Sequence, residues 1–350
     1  MMPSFAYGGA ERVTMHLARH LDRSLFRPRL IVLNGRGPLS PDVPADVPVV
    51  DLARPRIRTA APQLVQVLRQ RRPQLVYSSF VHLNLALLAA RHLLGDTRIV
   101  IREPSLPSAS LPLEPLPRVF TRGCRTLYPQ ADQVIATSSR TRDELLAVGV
   151  PVDRLVVLEN PVDDELIRSR AQPPERGPGS GRRLVAAGRL VREKGFDRLV
   201  ESMAALDSID RCTILGDGPE GPLLERVAAD LTVADRLRLP GRVDEPWRWM
   251  AGADAVVLPS RCEGMPNVAL EALACGTPVI ATPEAGGITE VAELVPQAVT
   301  VAAAGSAMTA ALHRVQRHSG ELRPGLLPQR FRILSALDRY EQVFLATLAA

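Results

Sequence analysis

Two basic side chains follow a glycine at the end of an apolar run. Arg189 and Lys194 come after Gly188, where the run that begins at residue 183 gives way to a loop and then a helical pattern. A guanidinium offers a planar fork of donors and an ammonium a compact charge, so the pair suits a diphosphate. Lys194 is the single lysine among 43 basic residues, which favours a special role. The alternative is a surface lysine paired with Glu193.

Two carboxylates flank the start of a second predicted helix. Pro266 fits the first helical turn and Gly276 the residue past the end, so the pattern predicts a helix over about 266–275. Glu263 would lie at its lip and accept hydrogen bonds from sugar hydroxyls, whereas Glu271 would lie inside and could chelate a ribose diol. Spacing alone equally allows a helix-dipole partner and a buried ion pair. The free amides expected at this helix start belong to Gly264, Met265 and Asn267.

A pair of glycines near the amino terminus is a third candidate site. Gly8 and Gly9 open a predicted helix over 11–21, and their backbone could approach an anion at its amino end. A strand should precede this turn, yet only seven residues do, with Pro3 among them. Either the strand is very short or the chain starts late, and the first strand is expected to be truncated.

Each of these turns should follow a strand, and the sequence predicts strands that alternate with helices. Short apolar, β-branched runs lie at 30–34, 74–79, 98–102, 133–138, 155–160, 183–190, 211–218, 236–243, 254–260, 277–283 and 298–303. This alternation predicts an α/β protein with parallel sheets built from right-handed βαβ units. Ligands of such sheets bind beyond the carboxyl ends of the strands, where all three candidate sites fall.

A segment rich in Pro, Gly, Ser and Arg divides the chain. It lies between residues 169 and 183 and reads as a linker. Apolar residues at steps of three and four after residue 329 predict an amphipathic terminal helix. The predicted organisation is a first domain over 1–170, a linker over 171–182, a second domain over 183–328 and a terminal helix over 329–350.

Composition excludes several other classes of protein. The chain has 350 residues, 46% of them hydrophobic and 23% charged, which fits soluble globular domains better than disorder. No apolar run is long enough to cross a bilayer, and no secretory leader is evident, so a cytoplasmic protein is expected. The four cysteines lack metal-ligand spacing, and neither a metal site nor disulfides are predicted.

Positive charge concentrates in the first half of the chain. Residues 1–160 hold 21 arginines against 13 acidic residues, a net charge of +8, whereas residues 161–350 carry −3. Such asymmetry is compatible with an anionic partner such as nucleic acid, anionic lipid or a phosphorylated acceptor. An arginine-rich composition spread over solvated faces explains it equally well.

Taken in order along the chain, several motifs resemble the family 4 glycosyltransferases, which have the GT-B fold. They are GGAER at 8–12, the turn at 160–163, GRLVREKG at 188–195, GDGPE at 216–220, EGMPNVALEALACGTPVI at 263–280 and GGITE at 286–290. The resemblance implies two Rossmann-like, doubly wound parallel-sheet domains facing across a cleft. It also implies a nucleotide-sugar donor on the second domain, a retaining transfer independent of metal, and a final helix that returns to the first domain.

The resemblance further implies roles for individual residues. Arg189 and Lys194 match the pair that binds the donor diphosphate, Glu263 the carboxylate that contacts the donor sugar, and Glu271 the ribose ligand. The remaining donor contacts would come from Gly188 and the backbone of Gly264, Met265, Pro266 and Asn267, together with Gly8 and Gly9. Asp217 sits in a turn, no Asp-x-Asp metal motif is present, and no general base is nominated.

Acceptor recognition is expected from the first domain. The stretch 77–132 is similar to relatives acting on lipid-linked oligosaccharide diphosphates. Four polar residues lie just beyond predicted strand ends: His82, Asn84, Arg102 and Glu103. His82 could instead only cap the following helix. Five prolines predict a non-helical loop over 103–118, either covering the acceptor or touching a membrane.

These inferences predict a cytoplasmic enzyme, peripheral on an anionic membrane at most. It would move a hexose or N-acetylhexosamine from a UDP-sugar to a glycan or lipid-linked acceptor in polysaccharide or glycoconjugate biosynthesis. The nucleotide sugar is a co-substrate, so no cofactor is expected, and nucleic acid is not an expected partner. The alternatives are a nucleotide-sugar epimerase, a phosphorylase, which would need a pyridoxal phosphate lysine, or a catalytically degenerate binding subunit.

Overall fold

A computed structural model describes residues 1–173, 181–206 and 209–350. The central part of the predicted linker 171–182 therefore lies outside the described residues. The strands, all paired in parallel, are β1 Met2–Ser4, β2 Leu30–Asn34, β3 Val49–Asp51, β4 Leu75–Ser78, β5 Arg98–Glu103, β6 Gln133–Ala136, β7 Leu155–Val157, β8 Arg182–Ala187, β9 Ile209–Leu215, β10 Leu237–Arg238, β11 Ala255–Leu258, β12 Val279–Ala281 and β13 Val299–Val301.

The helices alternate with these strands, as expected for an α/β protein. They are α1 Gly9–His20, α2 Ile57–Arg71, α3 Val81–Ala89, α4 Pro107–Ser110, α5 Pro117–Leu127, α6 Ser139–Val148, α7 Asp164–Arg170, α8 Phe196–Ala204, α9 Gly221–Asp230, α10 Pro246–Gly252, α11 Asn267–Ala274, α12 Ile288–Leu294, α13 Ser306–His313 and α14 Ile333–Ala349. Within the described ranges, no helix combines the length and apolar character needed to cross a membrane.

The chain divides into two compact units. Unit 1 comprises Met1–Pro161 and Ile333–Ala350, and unit 2 comprises Val162–Arg332. The chain enters and leaves unit 2 at neighbouring positions, because the N–H of Val162 donates to the carbonyl of Phe331 at 2.9 Å. Helix α7, placed in the first domain by the sequence, and residues 329–332, placed with the terminal helix, belong to unit 2.

Unit 1 contains two parallel sheets, in the orders β1-β2-β3 and β4-β5-β6-β7. The Met1 ammonium donates to the carbonyl of Tyr77 in β4 at 2.7 Å, so β1 lies beside β4. Strand β1 is only three residues long and contains Pro3, which has no N–H to donate. The first strand is thus very short in the structure, and whether it is truncated stays a prediction.

Helix α14 completes the core of unit 1. Its inward residues Ile333, Leu337, Tyr340 and Phe344 pack against Val13 and Leu17 of α1 and against β5 and β6. Their spacing of three and four residues places them on one helix face.

Unit 2 holds one parallel sheet in the order β10-β9-β8-β11-β12-β13. Side chains alternate between its two faces: Ala255 and Val257 join one core cluster, and Val256 and Leu258 join another. Helices therefore cover both faces, as in a doubly wound sheet. The strand order reverses between β8 and β11, and ligands of doubly wound sheets bind beyond such a point.

The structure departs from the predicted elements where strands are short or exposed. The run 236–243 forms a strand only at Leu237–Arg238, and β3, which the sequence did not reveal, has two exposed residues of three. The predicted loop 103–118 is partly helical, since α4 and a 3₁₀ turn at Leu111–Leu113 lie within it. Three of its five prolines, Pro107, Pro112 and Pro117, occupy first helical turns, which tolerate a missing N–H.

Candidate functional site

Glycines bring the ends of β8 and β9 into backbone contact. Gly188 follows β8 with φ +152°, and its N–H donates to the carbonyl of Leu215 at 2.9 Å. Gly216 has φ +135°, and a Cβ there would lie 2.0 Å from the carbonyl oxygen of Gly188. Only glycine can occupy position 216 without displacing this turn, so the two strand ends pack backbone against backbone.

Lys194 lies over Gly188. It ends a 3₁₀ turn at Arg192–Lys194, and a Cβ on Gly188 would meet the alkyl chain of Lys194 at 3.4 Å. The following Gly195 has φ +64°, and a Cβ there would lie 2.2 Å from the carbonyl oxygen of Pro259. The turn is thereby seated against the loop that follows β11.

The ammonium of Lys194 pairs with Glu263 rather than with Glu193. Its Nζ donates to Oε1 of Glu263 at 2.7 Å, and the hydroxyl of Ser260 donates to the same oxygen at 2.8 Å. The two charged side chains are 22% and 14% exposed, so water screens the pair only in part. The structure thus brings two of the predicted catalytic residues together at the carboxyl edge of the sheet.

A second ion pair, which sequence reasoning missed, fastens the same two loops. Both guanidinium nitrogens of Arg261 donate to the Asp197 carboxylate, at 2.7 and 2.6 Å. The pairing with Arg261 lowers the pKa of Asp197. The N–H of Arg261 also donates to the carbonyl of Glu193 at 2.7 Å. A bidentate pair is geometrically specific, so it fixes the register of the Lys194 turn against the Glu263 loop.

The loop from Glu263 to Asn267 rests on a glycine turn. Gly286 has φ +64°, and a Cβ there would lie 2.1 Å from the Glu263 carbonyl oxygen and 2.3 Å from that of Gly264. The N–H of Gly287 donates to the carbonyl of Gly264 at 2.7 Å. Helix α11 then begins at Asn267 with Pro266 as its N-cap, one residue later than predicted.

The remaining members of this loop differ in exposure. Gly264, Met265 and Pro266 are buried, and Asn267 is partly exposed. Their backbone therefore stands at the amino end of α11, with Glu263 on the outer side.

Glu271 is buried within α11. Its Oε2 accepts a hydrogen bond from the indole N–H of Trp247 at 3.1 Å. The sequence indicated an inward position for Glu271, but the indole partner could not be inferred because it comes from a separate helix, α10.

Arg189 has a different environment. Its side chain is exposed, and among the described residues no acidic side chain pairs with it. A guanidinium in solvent next to Gly188 is available to an anionic ligand.

In unit 1, the glycine pair lies where the sequence placed it. Gly8 is the N-cap of α1, and Gly9 is its first residue. The space beside Gly8 is filled by the Glu11 carboxylate, which a Cβ would meet at 2.1 Å. A contact between this turn and a donor stays a prediction.

The four predicted acceptor residues divide into one at a helix start and three in a buried network. His82 is partly exposed near the start of α3, and burial lowers its pKa. The N-cap of α3 is Phe80, with no side-chain cap, so the helix-capping alternative for His82 is wrong.

Arg102 and Asn84 are 1% and 0% exposed. Arg102 donates to the hydroxyl of Ser79 at 2.8 Å and also to Asn160, and Asn84 donates to the carbonyl of Arg102 at 3.2 Å. Arg102 lies within β5 rather than beyond its end, because β5 extends to Glu103, and Asn84 lies in α3. An acceptor contact by these side chains stays a prediction.

Glu103 completes this network as a buried carboxyl. It is 4% exposed and accepts a hydrogen bond from the hydroxyl of Tyr128 at 2.9 Å. Desolvation raises its pKa to about 7. Glu103 can therefore hold or release a proton near neutral pH.

The fold defines a class of protein. Two units of parallel strands covered by helices match solved GT-B structures. HepE of Anabaena, solved in complex with UDP, superposes with a TM-score of 0.79 at 18% identity, over 99% of this chain and 100% of that chain. The chain has the GT-B fold.

The family follows from sequence comparison. The model described as Glycosyltransferase Family 4 matches residues 7–166, and that described as Glycosyl transferases group 1 matches residues 181–317. The chain belongs to family 4 of the glycosyltransferases.

Two curated relatives illustrate the range of this family. The lipopolysaccharide core biosynthesis glycosyltransferase LpsE of Rhizobium meliloti is 39% identical over 103 residues, 29% of this chain and 30% of LpsE. N-acetylgalactosamine-N,N'-diacetylbacillosaminyl-diphospho-undecaprenol 4-alpha-N-acetylgalactosaminyltransferase of Campylobacter jejuni is 26% identical over 299 residues, 82% of this chain and 80% of that protein. The alignment with LpsE thus spans less than a third of that relative.

Proposed function

We propose that this chain is a retaining glycosyltransferase that moves a sugar from a UDP-linked donor to a glycan or lipid-linked acceptor. Unit 2 would hold the donor and unit 1 the acceptor. The observation that carries the proposal is the Lys194 ammonium, held 2.7 Å from Glu263 while its alkyl chain lies over Gly188. The UDP bound in HepE and the diphospho-undecaprenol in the name of the Campylobacter relative support the donor and acceptor classes.

In the proposed reaction, the acceptor hydroxyl oxygen bonds to the anomeric carbon as the bond from that carbon to the diphosphate breaks. The diphosphate leaves with the electron pair, and the acceptor proton passes to its departing oxygen. Lys194 and Arg189 would stabilise the negative charge that develops there. Glu263 would accept hydrogen bonds from the donor sugar, and Glu271 from the ribose.

The ion pair of Lys194 and Glu263 suits both the binding of the donor diphosphate and the contact with the donor sugar. A donor diphosphate brings its own negative charge to the ammonium, so Lys194 can turn from the carboxylate to the phosphate without losing an anionic partner. Glu263 keeps the Ser260 hydroxyl as a donor in either arrangement. The two side chains are thus positioned before the donor arrives.

The test is a transfer assay with UDP-, GDP- and ADP-linked hexoses and N-acetylhexosamines, measuring release of the nucleoside diphosphate. We expect turnover with a UDP-sugar. The anomeric configuration of the product, axial or equatorial, should be the same as that of the donor. Lys194→Ala should lower kcat/KM by about 100- to 1,000-fold, the effect of removing one donor to a developing anion. Arg192→Ala, an exposed cation on the same turn, is the matched control and should retain activity.

Other outcomes would contradict the proposal. Donor binding without turnover would favour a binding subunit, and loss of activity in Arg192→Ala equal to that in Lys194→Ala would remove the special role of Lys194. Epimerised sugar with free UDP would favour the epimerase alternative.

A further inference from the structure

A cleft separates the outer parts of two neighbouring helices of unit 2, α8 and α13. Both helices pack on the same side of the sheet, since Leu199 and Met203 of α8 share a core cluster with Met308 and Leu312 of α13. The cleft has a volume of about 620 Å³, and small-molecule sites typically have roughly 300–1,000 Å³. Among the described residues, none that lines it belongs to the candidate donor site. It is termed here the α8–α13 cleft.

Polar side chains line the α8–α13 cleft from both helices. Helix α8 contributes Arg198 and Glu201, and α13 contributes Ser306, Thr309 and His313. Their spacing of three or four residues along each helix places them on one side of it. Within the described part of the chain, only the Arg198 side chain of these five forms a hydrogen bond to the protein, to a backbone carbonyl at 3.4 Å. The other four can therefore bond to a ligand.

Apolar groups also line the cleft. They are Ala205 and Leu206 at the end of α8, and Ala310 on α13. Leu206 is 4% exposed, so it lies at the inner side of the cleft. A few polar groups combined with apolar contact area fit a ligand whose carbon skeleton packs on alkyl groups while its polar substituents form hydrogen bonds.

The charge of the lining favours a neutral ligand. Among the described residues that line the cleft, Arg198 and Glu201 supply one permanent charge of each sign. A nucleoside diphosphate would bring several negative charges close to the Glu201 carboxylate, with a single guanidinium to compensate for them. Hydroxyl groups both donate and accept, so they can bond to a guanidinium, which only donates, and to a carboxylate, which only accepts. These requirements are met by a polyhydroxylated carbon ring.

We propose that the α8–α13 cleft is a second saccharide-binding site, apart from the candidate donor site. The ring carbons of the sugar pack on Ala205 and Ala310, and its hydroxyls bond to Glu201, Arg198 and Thr309. The site holds a neutral glycan on unit 2 and takes no part in the transfer reaction.

The test is binding of the full chain to an array of neutral and acidic oligosaccharides, followed by isothermal titration calorimetry with the strongest neutral ligand. We expect binding to neutral oligosaccharides. Glu201→Ala should weaken this binding by at least about tenfold, the usual loss when a hydrogen bond to a charged group is removed.

A matched pair of tryptophan variants tests the position of the site. Ala310→Trp fills the cleft with a large ring from an exposed position on α13 and should abolish binding. Ala307→Trp adds the same ring at an exposed position on the same helix, outside the cleft, and should bind like the wild type. Far-UV circular dichroism would establish that each variant is folded.

The proposal is overturned if no neutral oligosaccharide binds, or if only acidic ones do. It is also overturned if Ala310→Trp and Ala307→Trp bind alike, since the ligand would then lie elsewhere on the chain. The array contains no nucleotide sugar, so its result does not depend on the transfer assay, and the proposed function can hold or fail separately.

Discussion

Trp247 and Glu271 form a buried polar pair beneath the candidate donor site. The indole N–H is donated to a carboxylate that is 4% exposed, and loss of one partner leaves a buried acceptor less satisfied. Trp247→Phe should therefore lower the free energy of unfolding by about 1–3 kcal/mol beyond the loss of ring area. Urea denaturation measures this difference.

The second tryptophan supplies the control for that experiment. Trp249 also packs against the unit 2 core, but no hydrogen bond of its indole to a carboxylate is present within the described part of the chain. Trp249→Phe should have the smaller effect, and equal losses in the two variants would show that the hydrogen bond contributes nothing.

Glu103 gives the stability of unit 1 a pH dependence. Its pKa is about 7 in the folded chain against an ordinary 4.5, so the folded state favours the protonated carboxyl. That contribution is fully present below pH 4.5 and is lost as the pH rises through 7. Glu103→Gln, which stays neutral, should therefore gain stability relative to wild type between pH 5 and pH 8, by at most about 3 kcal/mol.

Unfolding curves at pH 5 and pH 8 test this sign. Glu225→Gln, an exposed glutamate on α9, is the control and should show no such gain. A wild-type chain that gained stability over the Gln variant with rising pH would contradict a raised pKa of Glu103.

At the scale of elements, the candidate donor site depends on glycines whose role is steric. Gly286→Ala would place a Cβ 2.1 Å from the Glu263 carbonyl oxygen, so the Glu263 loop must move. We expect a loss in kcat/KM of at least tenfold in the transfer assay, because a displacement of about 1 Å at a reacting group is costly.

Gly95→Ala isolates backbone strain from this contact. Gly95 has φ +61° against +64° at Gly286, yet nothing lies within 4 Å of a Cβ there. Both variants should lose roughly 1–2 kcal/mol of stability from the left-handed conformation. Only Gly286→Ala should lose activity. Retained activity in that variant would show that the glycine turn does not position the candidate site.

The sequence predicted the helices and strands better than the side-chain contacts between them. Regular apolar runs such as that of β11 were found in place because buried parallel strands need such runs, and helix α11 began within one residue of its prediction. Strand β3 was missed because its three residues are mostly exposed. The pairing of Lys194 with Glu263 joins residues 69 positions apart, and no local pattern encodes such a contact.

The ion pair between Arg261 and Asp197 was missed for the same reason. Each residue alone resembles an ordinary surface charge, and only the fold brings the two loops together. Conversely, Arg102 looked accessible at a strand end, but neighbouring elements bury it. Burial depends on which elements pack together, which single-sequence periodicity does not determine.

At the scale of the whole molecule, the chain returns to its first unit after 171 residues of the second, so distant segments share one core. Phe344 of α14 is 3% exposed, and its ring lies 6.2 Å from that of Phe26 and 5.8 Å from that of Tyr77.

Phe344→Ala should remove about 3–5 kcal/mol from the stability of unit 1, the usual cost of a large buried truncation. Differential scanning calorimetry should show the unfolding of unit 1 at lower temperature while that of unit 2 is unchanged. Leu345→Ala, a 41% exposed neighbour on the same helix, should shift neither transition. A single transition that moves to lower temperature in Phe344→Ala would mean that the two units unfold together and would contradict an effect confined to unit 1.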